Sequence, residues 1–416
     1  NITTSVGYLD PSVQYSANTM DLTLRRNDVD FRTMGTRGNQ TAVALVLNQL
    51  VATATGGLAS VVNNVYDLTD GDGLDAMDSM TGVVYQFGAR LGLDASRAFT
   101  SAAMRRLSTV TRAEERPLPS AGFGVAGTMT PAPGTSENRY GAWFSGFGGV
   151  TRYYGSSVDA SAKAPSPGVI GGFDAALTDT ISLGVSGGRA WPEVTLDGRP
   201  DRGTSKVTHA GLYGRYGNGV TRIDAALGFS RVDQEGFRTM TDGVGTVAAE
   251  SSSQGNGVMF HVEYGRSFEL GRGFSVEPGA GLQLGQLHLD GFVEQGGDVL
   301  ALNVPARTAK SQRLLTGGRV GKTFGSVSNS KMMVEARAAW AHEFRALDDV
   351  NLRFSADPFA NEFALAPSND QRDSAVLGFS FAADPGANFR LFVDVGGEVG
   401  GTSRIWSGMI GLTRRW

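Results

Sequence analysis

The hydrophobic pattern of the chain changes its period along its length. Near the front, Met20-Asp21-Leu22-Thr23-Leu24-Arg25-Arg26 alternates apolar and polar residues and predicts an extended segment. From Asn39 to Leu107 the spacing becomes helical. Ala42, Leu45, Val46, Gln49 and Leu50 fall on one face of a first predicted helix, which Gly56-Gly57 ends. A short helix over Leu58 to Tyr66 follows. Asp72 or Asp75 caps a third, which runs through Met80 to Tyr85. A fourth covers Asp94 to Leu107, with Arg105 and Arg106 in its last turn, where the helix dipole favours cations. Residues 108–137 carry Pro117, Pro119, Pro131 and Pro133 among glycines and predict an irregular linker.

From Asn138 the period is two. Twelve strands are predicted, over 139–150, 168–177, 181–192, 206–216, 220–232, 256–268, 274–287, 311–322, 331–344, 373–382, 389–397 and 404–416. The connections alternate in length. Thr178-Asp179-Thr180, Gly217-Asn218-Gly219, 269–273, 323–330 and 383–388 are short, and 151–167, 193–205, 233–255, 288–310 and 345–372 are long and polar. Only 398–403 departs, a short connection on the long side. Sorting by parity through an even strand count is the pattern of an outer-membrane barrel, with short turns in the periplasm and long loops outside. A β-sandwich rarely sorts its turns this way. The expected fold is therefore all-β: a twelve-stranded antiparallel transmembrane barrel over 138–416, preceded by a mostly α-helical region.

Side-chain parity supports closure. Ile223, Ala225, Leu227 and Phe229 share one face of the fifth strand, and Arg222, Asp224 and Ser230 the other. Val258, Phe260, Val262 and Tyr264 oppose His261 and Glu263. Phe389, Leu391, Val393 and Val395 oppose Arg390 and Asp394. A charge facing lipid at mid-depth costs about 2–4 kcal/mol, so the polar set must line a lumen. The acids expected there are Asp174, Asp224, Glu263, Glu277, Glu335 and Asp394. The bases are Arg222, Arg313, Arg319, Arg337, Arg390 and Arg415. Six acids face six bases, which predicts a charged, hydrated pore without strong ion selectivity. Its bore admits one helix or an extended polypeptide, but not a folded domain.

Composition narrows the rest. The chain has 416 residues, 58 glycines, no cysteine, four histidines and a formal charge of −4. Without cysteine there is no disulfide, thiolate metal site or cysteine nucleophile. The near-neutral balance gives no basic footprint for nucleic acid. A mean hydropathy of −0.13 suits a soluble protein or a barrel, whose alternation averages out. No run of about 20 apolar residues marks a spanning helix. The opening Asn1-Ile2-Thr3, without methionine, predicts a processed or excised segment.

Chemical motifs are few. Gly184-Val185-Ser186-Gly187-Gly188 matches the G-x-S-x-G string of serine hydrolases, but lies inside a predicted strand with no helix after it, so small lumen residues are the reading. His209, His261, His288 and His342 lack metal spacing. Asp70-Gly71-Asp72-Gly73, with Asp75 and Asp78, departs from calcium-loop order and reads as a turn with helix N-caps. Tyr140, Tyr213, Tyr264, Trp340, Trp406 and Trp416 are expected in interface girdles. No catalytic, metal or cofactor site is expected.

Residues 138–416 resemble the C-terminal translocator β-barrel of the autotransporters (type V secretion). The similar stretches are Gly141-Ala142-Trp143-Phe144-Ser145-Gly146-Phe147-Gly148; Gly211-Leu212-Tyr213-Gly214-Arg215-Tyr216 leading to Asp224-Ala225-Ala226-Leu227-Gly228-Phe229; Glu277-Pro278-Gly279-Ala280-Gly281-Leu282 with Leu289-Asp290-Gly291-Phe292-Val293-Glu294; and the terminal Gly411-Leu412-Thr413-Arg414-Arg415-Trp416. The segment 20–107 is similar to the helical region that often precedes such barrels. The resemblance implies outer-membrane lipid, the barrel-assembly machinery, periplasmic chaperones and an N-terminal passenger as partners, with the passenger end at the surface of a Gram-negative cell.

It implies an assembly signal in the last strand, here Trp406, Ile410, Leu412 and Trp416; Arg414 departs from the usual aromatic or apolar residue. It also implies a helix retained in the pore. The sequence leaves two arrangements open. Either 94–116 or 117–137 occupies the pore, with Arg97, Arg105, Arg106 and Arg112 on the first of these pairing with lumen carboxylates, or 39–107 form a helical cap outside. Residues 1–38 would then end the passenger side. Val62-Asn63-Asn64 is similar to the Asn–Asn cleavage site of one subclass but lies about 75 residues before the barrel, so cleavage there is not expected. The alternative function is a porin-like channel or receptor with an N-terminal plug. An outer-membrane hydrolase lacks a triad.

Overall fold

The computed structural model describes residues 7–33, 38–114, 139–155, 161–324, 332–345, 347–367, 371–386 and 389–416. Residues 115–137 of the expected linker lie outside them, whereas 108–114 continue the last helix.

Twelve antiparallel strands form the barrel: β1 (Tyr140–Tyr153), β2 (Ala162–Ala176), β3 (Ile181–Ala190), β4 (Arg202–Gly217), β5 (Thr221–Thr241), β6 (Thr246–Arg266), β7 (Phe274–Leu289), β8 (Arg307–Phe324), β9 (Met332–Glu343), β10 (Asp373–Gly386), β11 (Phe389–Gly400) and β12 (Ser403–Arg415). Each pairs with its neighbours in sequence. β12 closes on β1, from Ser403 opposite Tyr153 to Arg415 opposite Gly141. Closure leaves no free edge and satisfies the ladder inside lipid. Alternate side chains point outward, and Phe144, Phe173, Leu212, Phe229, Leu377 and Trp406 are exposed as a lipid-facing surface requires. Among the described residues no helix is long and apolar enough to cross a membrane, which says nothing about strands.

The front of the chain is a two-stranded hairpin, Leu9–Tyr15 with Met20–Arg26, and four helices: α1 (Gly38–Leu50), α2 (Gly56–Tyr66), α3 (Asp70–Met80) and α4 (Gln86–Glu114). Several expectations need correction. The buried face of α1 is Val43, Val46, Leu47 and Leu50; Leu45 and Gln49 face solvent. Gly56-Gly57 opens α2 instead of ending α1, with Gly56 at φ +59 in the left-handed region glycine favours. Thr69, not Asp72 or Asp75, caps α3 by accepting the Asp72 N–H. α4 starts eight residues before the expected Asp94, because Gly88 and Gly92 look like helix breakers in sequence. Both are small because the barrel wall presses on them. A Cβ at Gly92 would come within 2.5 Å of Leu287.

The long connections do not stay irregular. Residues 233–255, expected as a loop, extend β5 and β6 beyond the rest of the barrel and turn at Asp242. Their serines and acids carry no apolar alternation to reveal a strand. The connections 290–306 and 344–372 contribute short paired strands, Phe292–Val293, Leu302–Val304, Val350–Phe354 and Phe363–Leu365. These, the β5–β6 extension and α1–α3 share one hydrophobic core that roofs the long-loop end of the barrel; Leu47, Val65, Met77, Leu302, Phe354 and Leu365 are fully buried in it. The helical region expected as one block over 39–107 is thus divided. α1–α3 form a dome, and α4 descends into the barrel.

Candidate functional site: the charged pore

α4 is buried over most of its circumference: Phe87, Ala95, Phe99, Ala89 and Leu93 point in different directions around it, and the half-buried Asp94, Arg97, Ala98, Ser101 and Arg105 share the remaining face. It leans on β4, β5 and β6. Phe99 stacks on His209 with ring centroids 4.7 Å apart and planes 13° apart. The seat for Phe99 is made by Gly211, opposite Gly228; a Cβ at Gly211 would come within 2.8 Å of the ring. Ser96 meets Ser230 at 3.1 Å between hydroxyl oxygens.

The arginines of α4 carry its polar contacts. Arg97 pairs with Asp94 on the helix at 2.6 Å and donates to Ser311 Oγ at 3.0 Å, with Glu343 at 3.7 Å. Arg105 pairs with Asp394. Arg106 has no exposed side-chain surface and grips Asp174 through Nε and Nη2, each at 3.0 Å. Asp174 also accepts from the Tyr213 hydroxyl at 3.1 Å, which accepts in turn from Trp143 Nε1 at 2.6 Å. The side chain of Arg112, on the last turns of α4, lies outside the described residues, as does the candidate segment 117–137.

The wall residues named from sequence alternate with exposed neighbours, and all twelve are buried or half-buried. They form a lattice of charge-assisted bonds. Arg222 pairs with Asp224 and with Glu277 at 2.9 Å. Arg319 reaches Glu263 at 3.1 Å, Glu277 at 3.2 Å and Glu335 at 3.6 Å. Arg337 binds Asp394 through two nitrogens. Arg313 pairs with Glu398 at 2.7 Å. Arg319 lies directly opposite Arg337 across β8 and β9, an arrangement that repels by itself; the four carboxylates around the two relieve it. Arg390 and Arg415 lie half-buried on β11 and β12. Between α4 and the β8–β12 side a cavity of about 310 Å³ remains, lined by Arg319, Arg337, Glu263, Glu398 and glycines of β1, β8 and β11, with room for several waters.

Some of this escaped the sequence. Arg215, bidentate to Asp224 at 2.5 and 2.7 Å, shares the parity of His209 and Tyr213 on β4 and was detectable by it. Glu398 lies one residue beyond the expected end of its strand. Glu343 lies at the last residue of β9. Tyr213, expected in a girdle, faces inward; Tyr140, Tyr264, Trp340, Trp406 and Trp416 are exposed. Trp406, Ile410, Leu412 and Trp416 line the outer face of β12 and its end, and the Trp416 backbone exchanges two hydrogen bonds with Tyr140 at the seam. Ser186 of the G-x-S-x-G string lies inside β3.

Comparison with known proteins agrees with this geometry. The family model of the autotransporter beta-domain matches residues 142–396. The translocator domain of autotransporter NalP from Neisseria meningitidis superposes with a TM-score of 0.55 at 13% identity, covering 79% of this chain and all of that one. The beta domain of the Bordetella autotransporter BrkA superposes with a TM-score of 0.52 at 23% identity, covering 67% of this chain and 100% of the other. At these identities both are likenesses of fold. No curated protein matches the chain in sequence.

Proposed function

The chain belongs to the autotransporter family, matched through its β-domain, and on that premise we propose how its parts divide the work. The barrel is an outer-membrane translocator, a role that fits a non-enzymatic protein, and such a domain implies a passenger. In our reading residues 1–38 end the passenger side, 39–107 are the junction, 108–137 link it to the barrel, and 138–416 carry the polypeptide across and then anchor it. The long-loop end with its dome faces outward, and the short turns face the periplasm. Arg97, Arg105 and Arg106 hold α4 as the plug left in the conduit once the passenger has crossed. The barrel-assembly machinery and periplasmic chaperones deliver the chain, with Trp406, Ile410, Leu412 and Trp416 as the assembly signal. The work is export and anchoring, without catalysis.

One observation carries this reading: α4 runs from the dome into the lumen, and near its far end Arg105 binds Asp394 on β11 while Arg106 binds Asp174 on β2, the residue paired with Gly141 at the start of β1. The chain therefore passes from one end of the barrel to the other before β1 begins. The test is protease shaving of intact cells that express the chain behind an export signal and an epitope tag ahead of Asn1. Loss of the tag with the barrel intact supports export. A tag protected until the outer membrane is opened sinks it in favour of a porin-like channel with a periplasmic plug.

A further inference from the structure

The dome is built from two separate stretches of chain. The N-terminal part, residues 8–85, enters the barrel only through α4. The other part, the long connections of the barrel, surrounds it. The hydrophobic core runs across the join without a break: Leu302 and Leu352 close over Gly82, Val299 over Gly57, and Leu68 over Gly243.

A polar clasp crosses the same join. Arg238, on the β5 extension, has no exposed side-chain surface and binds Glu294 of the next long connection, also fully buried. The guanidinium donates through Nη1 to the Ser79 carbonyl at 3.2 Å and through Nη2 to the Leu300 carbonyl at 2.8 Å. Glu294 also accepts from the Tyr85 hydroxyl and from the Leu302 N–H at 2.6 Å. One buried ion pair thus ties barrel strand, barrel loop and N-terminal segment together with its hydrogen bonds satisfied. Three further ties lie around it. Asn64 donates to Asp242 at 2.6 Å, Arg199 binds Asp78 at 3.2 Å, and Arg307 donates to the Tyr85 carbonyl at 2.8 Å. In water a continuous apolar core of this kind can hold two chains together without a covalent link, provided that its burial exceeds the cost of association.

We propose that the dome is a non-covalent clamp, which holds residues 8–85 on the barrel after the covalent link through the pore is cut. The clamp gives the exported end a second anchor, and it rests on the preceding reading only in what it anchors, not in whether it holds. A cut in the 117–137 stretch leaves the N-terminal fragment attached; α4 stays on that fragment with its own contacts in the pore, and Arg238–Glu294 is the dome contact whose loss should lower retention.

The experiment uses the full chain purified in detergent, with a protease site inserted in the 117–137 stretch. After cleavage the fragments are run on size exclusion in about 1 M salt, where exposed ion pairs are screened. The clamp predicts co-elution for the parent chain and for R105A/R106A, which weakens only the hold of α4. It predicts at least tenfold loss of the co-eluting fraction for E294A and a smaller loss for N64A/D242A. Barrel integrity is read from unheated against heated gel migration, so a failed fold is recognised. Release from the parent chain, release from R105A/R106A, or full retention by both dome variants overturns the proposal. This test reads the clamp without reference to which end faces outward, and the shaving test reads orientation without reference to the clamp.

Discussion

The dome and the pore are adjacent, built partly from the same strands, and held together by opposite means. The dome is an apolar core crossed by the fully buried Arg238–Glu294 ion pair. The pore has a lattice of arginines and carboxylates, a helix pressed to one wall and a gap along the other. Surroundings set the difference. Outside the membrane, apolar side chains gain by leaving water, so the dome can behave as an ordinary folded unit. Within the barrel the outer surface must be apolar for lipid, so alternation forces the polar residues inward. α4 is seated on one side in an apolar cluster that joins Leu93, Phe99 and Met104 to Ile170, Met259 and Leu287, and its arginines add charged contacts to the wall.

Substitutions should separate the two regions. The largest effect is expected from Glu294→Ala, which strands the buried Arg238 without its acid and should cost about 3–5 kcal/mol. Hydrogen exchange should show α1–α3 and 292–304 losing protection while β1–β4 keep theirs; equal loss in the barrel would mean that dome and pore unfold as one. Next is Leu47→Ala in the dome core, about 2–5 kcal/mol for a truncated buried leucine, read as a lowered denaturant midpoint of the dome. Arg106→Ala should cost less, about 1–3 kcal/mol, because Asp174 keeps the Tyr213 hydroxyl and gains water. Its signature is higher conductance of the barrel in a planar bilayer, and an unchanged conductance would argue that α4 stays seated without this arginine. Arg152→Ala, which removes a half-exposed pair with Asp197, should change stability by under about 1 kcal/mol in thermal melts.

The pH response sharpens the same contrast. Burial alone would raise the Asp242 carboxyl. The N–H groups of Gly245 and Val244 and the Asn64 amide hold it below its ordinary 3.8. A lowered carboxylate stabilises above its unfolded pKa and loses that contribution as pH falls through the folded value. Retention of the cleaved N-terminal fragment should therefore be flat above about pH 4 and weaken below it. In D242A this step should shrink, since Glu294 and Asp78 also lose their ion pairs on protonation.

Periodicity and turn parity alone determined much of this protein. The alternation in β5, β6 and β11 divided lipid face from lumen, because a charge on the wrong face is costly in a membrane. Parity also put Asp174, Glu277, Arg319 and Asp394 on the inner face, where the structure has them buried or half-buried. Local signals failed wherever a distant contact set the rule. Gly88 and Gly92 look like breakers until Gln234 and Leu287 are seen against them. The polar stretch 233–255 shows no apolar strand period, because the positions it buries include Arg238, Ala249 and Ser253 instead of a row of large apolar side chains. Tyr213 is an interface aromatic by type and an interior one by register, fixed by Trp143 and Asp174. The dome itself was decided only in three dimensions. Its core joins residues as far apart as Leu47 and Leu365, and no local pattern records that an N-terminal helix and a barrel loop will need each other to exclude water.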